Sequence, residues 1–213
     1  MDFQIPTGCG EFLSHYSRDL QLRWSHAELA DQRRFVQEQI MGRRWLDWST
    51  ESAALELLQA RLLGTPPNLS ASNEIIVLAG PVAELIEPDW LFATAAARLR
   101  PMGKLVGLIP CLRDNSPESR CFAEFAAAHF RAYSTAEELI EMLREGGFDT
   151  EHGTASFIAN GSFIEAVRRD QLSFRGFRRI FDQLGSEGYD PSEVGWGELR
   201  FSASRRFDED VPG

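Results

Sequence analysis

Near the start of the chain, Gln4-Ile5-Pro6-Thr7-Gly8-Cys9-Gly10 sets two glycines two residues apart between a short apolar segment and the helix-forming run Glu11–Tyr16. Glycine lets a backbone approach a ligand closely, and a helix N-terminus offers N–H groups that the helix itself does not use. The stretch reads equally as a ligand cradle or as a plain turn between a strand and a helix. Further along, Asp47-Trp48 closes a short apolar segment, placing a carboxylate beside an aromatic face, and Ala79-Gly80-Pro81 closes another. Asp47 can accept hydrogen bonds from a ligand or cap the helix that begins near Ser49. Cys9, Cys111 and Cys121 show neither a C-x-x-C pair nor the spacing of zinc ligands, so no metal site and no disulfide framework is expected.

The elements that must position these residues centre on Asn73–Pro110. Glu74–Gly80 and Lys104–Ile109 are short runs apolar on both faces, as strands buried beneath two helical layers must be. Pro88 opens a helix between them, with Leu91, Phe92, Ala95, Ala96 and Leu99 at helical spacing. Together they predict one βαβ unit.

Ahead of this unit the pattern predicts strands at 2–6, 21–25 and 43–48, with helices over 27–41 and 51–63. Beyond it come helices from 119 to 130 and after Ser134, where Ser134 and Glu137 form a capping box. A strand over 148–157, an amphipathic helix within 162–185 and a final strand over 198–204 complete the pattern. The chain of 213 residues is read as a single domain, with a helical insertion at about 162–195 between the last two strands.

A formal charge of −10 argues against nucleic acid or an anionic membrane as the main partner. Neither a signal peptide nor an apolar run of about 18 residues is visible, and with unpaired cysteines this predicts a cytoplasmic protein.

In their order, these parts resemble the class I S-adenosylmethionine-dependent methyltransferases. Leu99-Arg100-Pro101-Met102-Gly103 resembles the family's "LRPGG" turn. Tyr133-Ser134 through Glu138-Leu139 to Gly147-Phe148 resembles its "YS-x-x-EL…GF" segment. The resemblance implies a Rossmann-like sheet of seven strands, mostly parallel, in the order 3-2-1-4-5-7-6 with the last strand antiparallel. It implies S-adenosylmethionine as cofactor and a small molecule as methyl acceptor.

Residue by residue, the family's acid-x-Gly-x-Gly-x-Gly motif falls over Gln4–Gly10, so Gln4, Thr7, Gly8, Cys9 and Gly10 become candidate cofactor contacts. Gly8 and Gly10 match, whereas Gln4 replaces the acid and Pro6 the first glycine. Arg23 falls where an acid would hold the ribose, which inverts the polarity of that place and would suit a 2′-phosphate instead. Asp47 and Trp48 fall at the adenine, and Ala79 and Gly80 beside the cofactor.

No base is implied by motif. His15, His129 and Tyr133 are candidates to assist, and Trp24, Trp48 and Trp90 to face a sulfonium. The family's leading helix is lacking before the first expected strand. A second subunit or partner protein supplies that cover, the sequence starts late, or the site is open. Two functions follow from the resemblance: a methyltransferase acting on a small molecule, or a non-catalytic protein of the same fold that binds or scaffolds.

Overall fold

Five strands in the order β1-β2-β3-β5-β4 make the sheet of the computed structural model. The structure describes residues 25–64, 73–129, 132–161, 165, 169 and 175–206. The strands are β1 Trp45–Trp48, β2 Asn73–Leu78, β3 Leu99–Leu112, β4 Phe148–Ala159 and β5 Trp196–Arg205. The helices are α1 His26–Ile40, α2 Glu51–Leu63, α3 Gly80–Leu85, α4 Pro88–Arg98, α5 Pro117–His129, α6 Ala136–Glu145 and α7 Arg175–Ser186, with a 3₁₀ turn at Pro191–Glu193. The strand expected at 2–6, and all but Ser25 of the one expected at 21–25, lie outside the described residues.

β1, β2 and β3 pair in parallel: Trp45 lies opposite Ile75 and Trp48 opposite Leu78, while Ile75 lies opposite Lys104 and Leu78 opposite Gly107. β5 runs the other way. Arg113 N–H donates to Gly195 O, Gly107 abuts Phe201, and Arg205 donates to Leu99 O, so residue numbers fall on β3 as they rise on β5. The same reversal holds between β5 and β4, from Asn160 opposite Trp196 to Gly153 opposite Ser202. The antiparallel final strand is therefore present, and β2-β3-β5-β4 reproduces the expected 4-5-7-6.

The other half of the expected order is corrected. The strand read as third, β1, pairs directly with the strand read as fourth, β2, and so takes the place that 3-2-1-4 gives to the first strand. Nor can two further strands follow β1 before β2. Only eight residues separate Gly64 from Asn73, fewer than the roughly 10–12 that one strand–helix–strand crossover needs. Among the described residues the sheet has five strands and not seven.

Two compact units can be described. One comprises residues 33–109, 137–156 and 199–213. On one face of its sheet Ile75, Val77 and Val106 pack with Phe35, Val36 and Ile40 of α1. Of the stripe predicted for the helix after Pro88, Leu91, Phe92 and Ala95 are buried and Ala96 is half-buried, while Leu99 is buried as the first residue of β3. Phe92 meets Phe201 edge-on, with ring centroids 5.9 Å apart. Gly107 is what lets β5 approach, because a Cβ there would overlap the Phe201 ring.

The "LRPMG" turn lies inside β3 itself, and Met102 adopts φ +62° there, a left-handed backbone normally left to glycine. α2 begins at Thr50, whose hydroxyl accepts from Ala53 N–H, and ends at Gly64 with φ +61°.

The other unit comprises residues 1–32, 110–136 and 157–198. Its centre is Phe122, which touches the rings of Tyr133, Phe181 and Trp196 at 5.4–5.9 Å. Ile180, Phe181 and Leu184 are the buried stripe of α7. Phe163, Val167, Phe174 and Phe177, predicted to share that stripe, are outside the described side chains.

Candidate functional site

The carboxyl ends of β1 and β2 are fastened together. Ala79 N–H donates to Trp48 O (3.2 Å), so Asp47-Trp48 and Ala79-Gly80, far apart in sequence, form one junction at the edge where parallel strands of an open α/β sheet present ligands. Gly80 has φ +56°, which a side chain would strain, and it starts α3 with Pro81 in the first turn.

Asp47 is half-buried, and its Oδ1 accepts from both the backbone N–H (2.9 Å) and the hydroxyl of Ser49. The helix cap is Thr50, not Asp47. The carboxylate instead fixes the turn between strand and helix, leaving Oδ2 directed elsewhere. Ser49 is thus a member of the junction that the sequence reading missed. The local signal was the Asp-x-Ser spacing itself, a common side-chain-to-backbone turn.

Trp48 is 2% exposed, and the Arg98 guanidinium lies 5.4 Å from its ring centroid. Its face is occupied by a cation from within the chain. Burial lowers the Arg98 pKa, and Glu56, at 3.9 Å, opposes that shift. Trp90 is half-buried in the same unit. In the other unit Tyr133 is packed 4.6 Å from Trp196, as a core ring. There too Gln32 Nε2 donates to the buried carboxylate of Glu198 (2.8 Å), a pair that single-sequence pattern does not signal. Gln4, Thr7, Gly8, Cys9, Gly10, His15, Arg23 and Trp24, and the side chain of His129, lie outside the described residues.

Cys111 is buried and Cys121 half-buried, and neither is in a disulfide among the described residues. Burial raises the Cys121 thiol pKa, and the charges of Glu124 and Glu187 add to the effect, so it is held in the unreactive form. Among the described residues no three His, Cys, Asp or Glu side chains gather as a metal site, and no helix is long and apolar enough to cross a membrane.

Solved structures share this arrangement. Geranyl diphosphate methyltransferase in complex with GPP and sinefungin matches with a TM-score of 0.56 at 13% identity, over 84% of this chain and 79% of that one. Geranyl diphosphate C-methyltransferase from Streptomyces coelicolor A3(2), in complex with Mg2+, geranyl diphosphate and S-adenosyl-L-homocysteine, matches with 0.55 at 11%, over 84% and 80%. The [4+2]-cyclase SpnF matches with 0.52 at 17%, over 84% and 83%. No family model matches the sequence, and no curated protein does so.

The chain therefore has the class I methyltransferase fold. At these identities the likeness defines the fold alone.

The turn that follows β1, Asp47-Trp48-Ser49-Thr50-Glu51-Ser52-Ala53, contains no glycine, and two of its donors, Ser49 N–H and Ala53 N–H, are satisfied internally.

Proposed function

We propose that the chain is an S-adenosylmethionine-dependent methyltransferase acting on a small molecule, with its cofactor edge at the β1–β2 junction. The observation that carries this reading is the Ala79–Trp48 hydrogen bond, which fastens the strand end after Asp47 to the one before Gly80 at the carboxyl edge of a methyltransferase-type sheet. The residues fit the cofactor at the acid and at Gly80. Asp47 would accept from its donor groups through Oδ2, and Gly80 would let it lie against the backbone.

S-adenosylmethionine supplies a sulfonium methyl for in-line transfer. The chain's own part is to hold the acceptor in line and to keep water out, which in well-oriented systems lowers a barrier by roughly 7–11 kcal/mol. A dedicated base is not required for that. Structural neighbours that are complexes with S-adenosylmethionine or sinefungin support the choice of cofactor.

A second reading is favoured by one observation: the turn from Asp47 to Ala53 contains no glycine and spends its donors on itself. A protein built this way keeps the scaffold for binding or assembly without methyl transfer.

Isothermal titration with S-adenosylmethionine and S-adenosylhomocysteine separates the two. Under the first reading both bind in the micromolar range and Asp47→Ala weakens them by about tenfold or more, roughly 1.4 kcal/mol. No heat at millimolar ligand would overturn it in favour of the second.

A further inference from the structure

Trp48 takes part in two contacts at once. Its backbone oxygen accepts from Ala79 N–H and so fastens β1 to β2, while its buried ring lies with its centroid 5.4 Å from the Arg98 guanidinium. The ring points away from α1. Ile75 and Val77 pack on that helix, so Leu78 and its partner Trp48, one residue out of phase, face the other side of the sheet. There Arg98 ends α4, and its backbone oxygen accepts from Asn73 Nδ2 at the start of β2 (3.4 Å).

The Arg98 side chain also reaches Glu56 of α2, at 3.9 Å. In sequence Trp48 directly follows Asp47, and Glu56 lies three residues past Ala53. One guanidinium therefore holds the chain on both sides of the turn in which Ser49 donates to the Asp47 carboxylate and Thr50 caps α2.

Filling core space does not call for this side chain. Arg98 is 10% exposed at its side chain, and burial outweighs Glu56 in lowering its pKa. Glu56 is 71% exposed, so water screens most of its attraction. Taking a cation into such a place costs free energy that an apolar side chain of similar length would not. What the cation adds is direction, because a guanidinium can lie over an indole and meet a carboxylate at once, whereas methionine packs adaptably. The second tie between the two helices, Arg61 to Glu87 at 3.7 Å, joins exposed side chains at the other end of α4 and provides the contrast.

We infer that Arg98 is a positioning residue of the cofactor edge: by holding Trp48 and Glu56 it fixes the Asp47–Ala53 turn and the Ala79 contact, and with them the direction of the Asp47 carboxylate. It acts through Trp48. Its bearing on a cofactor rests on the methyltransferase reading, whereas the order of the turn does not.

Amide hydrogen exchange of the full chain, read by nuclear magnetic resonance without ligand, tests this first. In Arg98→Met the Ser49, Ala53 and Ala79 amides are expected to exchange about tenfold faster, with the Ile76 and Val106 amides and the urea midpoint at wild-type values. Arg98→Lys keeps a cation for the indole and is expected to hold the three rates within about threefold of wild type. Arg61→Gln is expected to leave them unchanged. Unaltered rates at the three amides in Arg98→Met overturn the inference, as does a lysine variant as fast as the methionine one. So does a rise shared by Ile76 and Val106 with a lower urea midpoint, the mark of a residue that only fills the core.

Titration with S-adenosylmethionine adds the second half. Arg98→Met is expected to weaken binding about tenfold, and to add nothing further in an Asp47→Ala background. A wild type that takes up no cofactor overturns the methyltransferase reading and leaves the exchange result standing. A wild type that binds, with an affinity that Arg98→Met does not change, overturns the positioning role.

Discussion

Met102 stands where the family's turn carries glycine, and its backbone has taken the glycine conformation all the same, with φ +62°. A left-handed residue with a Cβ costs about 1–2 kcal/mol. Met102 is 65% exposed and makes no large apolar contribution that would offset this. Met102→Gly is therefore expected to stabilise the chain by up to about 1 kcal/mol in urea unfolding, once the extra backbone freedom of glycine in the unfolded state is subtracted.

Gly107 makes the opposite case. Gly107→Ala pushes a methyl group into the Phe201 ring and is expected to cost about 1–3 kcal/mol, read as a lower unfolding midpoint at unchanged slope. At the surface, Asp149 Oδ2 meets His152 Nδ1 at 2.8 Å. Hydrogen bonding to Asp149 raises the His152 pKa, and hydrogen bonds from His152 and Glu151 lower that of Asp149.

The signs of these two shifts fix the pH window of that pair. The histidine's contribution is complete below its ordinary pKa and is lost as pH rises through the raised folded value. The aspartate's is complete above its ordinary pKa and is lost as pH falls through the lowered one. The pair therefore works between the ordinary carboxylate and imidazole ranges. Nuclear magnetic resonance titration is expected to show the His152 midpoint fall in Asp149→Asn.

At the scale of elements, what decided whether a segment was legible was whether its pattern is local. β2, α4 and β3 could be read because strands buried on both faces and a helix with one inner stripe have periodicities that no neighbour alters. α2 was bounded correctly at 51–63, although its N-cap is Thr50 and not the Asp47 that the sequence offered. Strand order is not local. Asp47 ends a short strand with an acid, and that description fits both the first and the third strand of the fold.

The first two strands were expected at 2–6 and 21–25, so the strand at 45–48 was counted third, and only its pairing with β2 shows that it lies beside the strand read as fourth. The buried ring of Trp48 was likewise invisible in sequence, since its partner Arg98 is fifty residues away.

At this scale the cap of α2 also has a measurable weight. Thr50→Ala removes the acceptor for Ala53 N–H and is expected to cost about 1 kcal/mol in urea unfolding. If the Asp47–Ser49 turn is a cofactor edge, the same change weakens S-adenosylmethionine binding through the loosened turn, and titration shows it.

For the whole molecule, the sheet's order has a consequence for synthesis. β5 is the last strand in sequence among the described residues, yet its place is between β3 and β4, both made earlier. A nascent chain that has reached residue 195 carries two long strands, each with an edge that only the missing ten residues satisfy. Such edges recruit other chains. A protein truncated after Gly195 is expected to collect in the insoluble fraction on expression, whereas one ending after Arg206 is expected to remain soluble. The place of β5 makes this sheet close from its middle, so β3 and β4 stay incomplete until residues 196–205 join them.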